Sequence, residues 1–158
     1  MPGIQILSGY TIRIANNIID LATGTSNSIT IDTTVLSKPI GDVMITDNWC
    51  GVQGGGGLSS NIDGIKLVGS PDTIRIYGLT TGGWTGYALN LNGTKILLDG
   101  VKSSGNTNGD VNINSSTIDI ISPQFGSSVG IASSGGSFCQ LAGEITGTVA
   151  GTRHCNSY

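Results

Sequence analysis

The chain has 158 residues, of which 37% are hydrophobic, 11% charged and 26 glycine, with a formal net charge of −3. That apolar content at so low a charge argues against a disordered chain. Seven Lys and Arg scattered along a chain of pI near 4.7 argue against a nucleic-acid interface or a basic membrane-surface helix.

Abundant Ile, Thr, Ser, Asn and Gly with few aromatics describe an all-β chain with many tight corners. Residues 1–40 carry short alternating strands, Ile4-Gln5-Ile6, Thr11-Ile12-Arg13-Ile14 and Ile29-Thr30-Ile31, outside any clear repeat, and they are expected to form an arm or edge element. The start has neither a basic n-region nor a long apolar stretch, so a soluble protein made in cytoplasm is expected.

From about residue 41 to 134 the alternating apolar pattern returns every 22 positions. In one row Val43 and Ile45 lead to Ile65 and Leu67, then Tyr87 and Leu89, then Gly109 and Val111. In another, Val52 leads to Ile74, Ile96 and Ile118, with Ile76, Leu98 and Ile120 one pleat further on. A fixed period carrying alternating triplets predicts a parallel β-helix of about 22 residues per coil, in which residues one period apart stack about 4.8 Å from each other. Arg75, Leu97 and Asp119 then form an outward row, Tyr87 points inward, Gly78, Gly100 and Ser122 recur at one corner, and Asn90 and Asn112 at another. Residues 135–158 break the register and are expected to cap the stack, so the 158 residues read as a single domain.

The polar inventory offers little chemistry. Cys50, Cys139 and Cys155 are widely spaced and odd in number, which predicts buried free thiols rather than disulfides or, with His154, a zinc site. Gly54 to Gly57 lacks the Lys-Ser/Thr of a phosphate loop, and Asn92-Gly93-Thr94 and Asn114-Ser115-Ser116 read as corners, not as acceptors for sugar. No acids converge by register: Asp42, Asp99 and Asp119 lack an acidic neighbour in their rows of the coil region, and Glu144 is the only Glu. No catalytic, cofactor or metal residue is therefore assigned. Trp49 and Trp84 are the candidates for contact with a ligand or partner, Trp84 because its Gly-rich corner could project it.

The stretch from Asp72-Thr73-Ile74-Arg75-Ile76-Tyr77-Gly78-Leu79 through Asn106-Thr107-Asn108-Gly109-Asp110-Val111 resembles right-handed parallel β-helix proteins, which include tailspikes of bacteriophages and polysaccharide lyases. The resemblance covers roughly 90 residues and rests on pattern. It implies a non-enzymatic phage virion protein without cofactor, most simply a homotrimeric capsid decoration (cement) protein that touches the major capsid protein or other virion proteins. The alternatives are a tail fibre or tailspike tip that binds a cell-surface glycan, and a β-helix polysaccharide depolymerase. The oligomer interface is expected where alternate apolar positions fall outside the coil register, at Ile4, Ile6, Ile12 and Ile14 and at Ile145 and Val149.

Overall fold

A computed structural model describes residues 3–20, 25–35, 40–52, 59–69, 71–92, 95–114 and 116–153. The strands come in repeating triplets. The first comprises β1 (Ile4–Ile6), β2 (Gly9–Ala15) and β3 (Ile18–Asp20), and the second β4 (Ile29–Asp32), β5 (Ile40–Thr46) and β6 (Trp49–Gly51). Then follow β7 (Ile65–Val68), β8 (Thr73–Tyr77) and β9 (Thr80–Gly82), and β10 (Tyr87–Asn92), β11 (Lys95–Asp99) and β12 (Lys102–Ser104). The fifth and sixth triplets are β13 (Gly109–Asn114), β14 (Thr117–Ile121) and β15 (Gln124–Phe125), and β16 (Val129–Ser134), β17 (Ser137–Gln140) and β18 (Glu144–Ile145). A last pair, β19 (Thr148–Val149) and β20 (Thr152–Arg153), ends the stack.

Each strand pairs in parallel with the strand three places on, which builds three sheets. Sheet A runs from β1 to β19, sheet B from β2 to β20 and sheet C from β3 to β18. Among the described residues there is no helix, and the arrangement is that of a parallel β-solenoid.

The cause is visible in the inward rows. Ile29, Ile65, Leu89, Val111 and Ile131 stack down sheet A, and Val43, Ile74, Ile96, Ile118 and Phe138 down sheet B. All of these are buried in one continuous core. β-branched side chains suit such ladders because each sits between identical neighbours on a pleated surface. Sheet C faces the same core with a more polar row, Ile19, Cys50, Thr81, Ser103, Phe125 and Ile145.

The 22-residue step is the pairing step of sheets B and C between the third and fifth coils: Ile74 faces Ile96 and Ile96 faces Ile118, with Ile76, Leu98 and Ile120 alongside. Arg75, Leu97 and Asp119 form the expected outward row. Earlier members of the rows are corrected. Ile74 pairs with Val43 and not with Val52, while Ile65 belongs to sheet A, between Ile29 and Leu89. The reason is that coils differ in length at their corners: Val43 to Ile74 is a step of 31 residues and Ile118 to Phe138 one of 20.

At the ends, the strands expected as an arm or edge element pair in register with the coils after them, Ile4 with Ile29 and Ile12 with Val43, and β1, β2 and β3 are the edge strands of the three sheets. The expected cap continues the same sheets, Phe125 facing Ile145 and Phe138 facing Arg153. Asn90 and Asn112 lie not at a corner but opposite each other on β10 and β13, where Asn112 Nδ2 donates to Asn90 Oδ1 at 3.1 Å.

The corner between sheets B and C recurs as read. Asn16, Asp47, Gly78, Gly100 and Ser122 follow one another along the stack, all with φ between 49° and 62°. That left-handed turn suits Gly and Asn, and it keeps the amide ladder unbroken: Gly78 N–H donates to Asp99 O and Gly100 N–H to Ile121 O.

Candidate functional site

The buried polar groups gather at the corner between sheets C and A. Asp110 is fully buried. Its Oδ1 accepts from Ser103 Oγ at 2.7 Å, Asn106 Nδ2 at 2.8 Å and Ser127 Oγ at 2.6 Å, and its Oδ2 accepts from Ser127 N–H at 2.9 Å. Asn106 Oδ1 in turn accepts from Trp84 N–H at 3.2 Å, and the Trp84 indole N–H donates to Thr81 Oγ1 at 2.8 Å. One network thus joins three coils.

A second buried acid does the same work nearby. Asp63 accepts from Tyr87 N–H at 2.8 Å and Asn90 Nδ2 at 2.9 Å, while its own N–H donates to Asn27 Oδ1 at 2.9 Å. At the opposite corner Asn48 Nδ2 donates to Ile14 O and Thr46 O, and Asn48 Oδ1 accepts both nitrogens of Asn17. A fully buried carboxylate that receives several neutral donors is a brace: its bonds hold turns that the apolar ladder cannot grip.

The structure divides the candidate contact residues. Trp84 is 1% exposed, so the reading of a projecting Trp84 is corrected: its indole fills the interior of the Gly-rich corner and spends its N–H there. Tyr87 is half-buried. Trp49 is likewise half-buried, over Gly51 on sheet C and paired with Ile18, which is 82% exposed. Further along the same face a shallow depression is lined by Lys102, Ser104, Gln124, Glu144 and Thr146. It brings the residues of successive coils side by side, Lys102 beside Gln124 and Gln124 beside Glu144.

The expected interface residues are also redistributed. Ile14 is a core residue, and Ile4, Ile6, Ile12 and Ile145 are partly buried against the core, because each occupies an inward register position. Val149 alone of the six is exposed, at 46%. Among the described residues the apolar side chains most open to solvent are Tyr10 and Ile18 of the first coil, which alternation did not single out.

The cysteines are of two kinds. Cys139 is disulfide-bonded, so the expectation of free thiols throughout is corrected there. Cys50 is a free thiol in the core, and burial pushes its pKa up to about 11, with a smaller opposing pull from the Ser28 hydroxyl, which itself has no partner in hydrogen-bond geometry. A thiol so protonated is a packing group, not a nucleophile. His154, Cys155 and Gly54 to Gly57 lie outside the described residues.

The chain matches no protein-family model, curated protein or solved structure.

Proposed function

We propose that this protein is a non-enzymatic structural component of a phage virion, a self-associating decoration protein that strengthens the particle. The observation that carries this reading is how the stack uses its acids. Asp63 and Asp110 are engaged in bracing corners, and on the outer face of sheet B Asp99 lies beside Tyr77 and Ile121, and Asp119 beside Leu97 and Cys139, so that neither row sets two carboxylates side by side. Glycoside cleavage needs two carboxyl groups facing one bond across a short gap. The disulfide at Cys139 also supports a protein that works outside reducing cytoplasm, since such bonds persist on virion and cell surfaces. Three copies and a contact with the major capsid protein are what the resemblance implies.

A receptor-binding tail tip is the second reading, favoured by the partly buried Trp49 beside Ile18, which is 82% exposed, on the outer face of sheet C, since aromatic faces stack on sugars. Purified protein incubated with capsular polysaccharide or lipopolysaccharide is expected to release no sugar. Cleavage that vanishes in Asp42→Asn, Asp99→Asn or Asp119→Asn would overturn the non-enzymatic reading. Binding on a glycan array without cleavage would favour the tail tip.

A further inference from the structure

The outer face of sheet C carries two rows of unequal height. In one, Trp49, Thr80, Lys102, Gln124 and Glu144 follow one another coil by coil. In the other, two residues further along each strand, only small groups stand: Gly51 and Gly82, then Ser104, Gly126 and Thr146. Taller residues beside shorter ones leave a trough along the stack. The depression lined by Lys102, Gln124 and Glu144 lies in it, over β12, β15 and β18, with a volume of about 460 Å³. Toward the other end the indole of Trp49 lies across Gly51 and fills the trough there, a place it can take only because residue 51 has no side chain. The three polar side chains of the depression are exposed, and among the described residues none of them has a hydrogen bond or an ion pair. Register keeps them apart: successive coils stand about 4.8 Å from each other, and Gln124 separates the ammonium from the carboxylate.

We propose that this trough binds a neutral oligosaccharide lying along the stack axis. The chemistry of the row selects the ligand. It offers in order a pure donor, an amide that both donates and accepts, and a pure acceptor. An anionic chain is repelled at Glu144 and a cationic one at Lys102, while an apolar ligand covers all three and leaves them without partners. Sugar hydroxyls donate and accept at every position, so a neutral chain satisfies the whole row. Ser104 and Thr146 add their own hydroxyls across the trough, and Trp49 bounds it with an aromatic surface of the kind that packs on sugar rings. Glu144 is the one acid in the lining of the depression, so the site holds a sugar chain without the second carboxyl group that cleavage needs. The inference goes beyond the structural role: the face is the same on a shell protein as on a tail tip, and the number of copies per particle, not sugar binding, decides between those.

Binding of the whole chain to an array of immobilised neutral, uronic-acid and free amino-sugar oligosaccharides tests this, with Gln124→Ala and Lys95→Ala beside the wild type. Both variants alter exposed side chains, Gln124 in the depression and Lys95 on sheet B, so both are expected to fold. Neutral members of the array are expected to bind, with affinity about tenfold lower in Gln124→Ala and unchanged in Lys95→Ala. Stronger binding of uronic-acid or amino-sugar chains overturns the choice of a neutral ligand. Equal binding by wild type and Gln124→Ala overturns the site. A wild type that binds no member of the array overturns the whole inference and leaves the structural role in place.

Discussion

Ile96→Asp is expected to abolish the soluble fold. Ile96 is 1% exposed and lies between Ile74 and Ile118 in the row that runs the length of sheet B. A carboxylate there meets methyl groups above and below, with no donor in the ladder to receive it. The cost of an unpaired buried charge, above about 4 kcal/mol, is comparable with the whole stability of many domains. Because each coil is held by its two neighbours, the fault sits in the middle of the stack and separates its halves. Expression of the variant should yield insoluble protein. If it is soluble and melts as the wild type does by circular dichroism, the interior register is wrong.

Asp110→Ala is the second large effect, and it separates the braces from the ladder. Removal of the carboxylate leaves the Ser103 and Ser127 hydroxyls and the Ser127 amide short of an acceptor in a buried site, while the Asn106 side-chain amide keeps only its bonds to those two hydroxyls. Each buried donor so stranded costs about 1–3 kcal/mol, and partial rearrangement among them brings the expected loss to about 3–5 kcal/mol. Asp42→Ala, which alters an exposed acid of β5, should by contrast stay within about 0.5 kcal/mol of wild type. Urea unfolding of the two variants side by side checks this. Equal midpoints would mean that Asp110 is not a brace.

What was legible in the sequence depended on coil length. Between Ile74 and Ile120 the corners are of constant size, so stacked residues keep a constant spacing and the ladder shows as a period. Before Ile74 the steps lengthen to 31 residues and after Ile118 they shorten to 20. Physical stacking tolerates this, because a loop at a corner adds no strand and disturbs no pairing. A fixed-period reading does not, which is why strands such as Ile4–Ile6 and Ser137–Gln140 looked foreign to coils that they in fact complete. Alternation correctly marked Ile4, Ile6 and Ile12 as having one apolar face. It could not tell that the face turns toward the stack's own core.

The candidate site was less legible. Trp84 looked free because glycines surround it in the chain, yet those glycines let the turn fold the indole inward to Thr81. The braces carried no signal at all: Asp63, Asp110 and Asn106 are ordinary turn residues by type, and only the meeting of corners from neighbouring coils makes them a network. The corner at Gly78, Gly100 and Ser122 was readable because its positive φ selects residue types directly.

The proposed role is tested most directly by counting this protein in purified virus particles by quantitative mass spectrometry against the major capsid protein. A decoration protein is expected in hundreds of copies, in fixed ratio to the shell, with particles that lack it losing their genome at lower temperature. A few copies per particle would place it at the tail, and absence from particles would contradict the virion reading altogether.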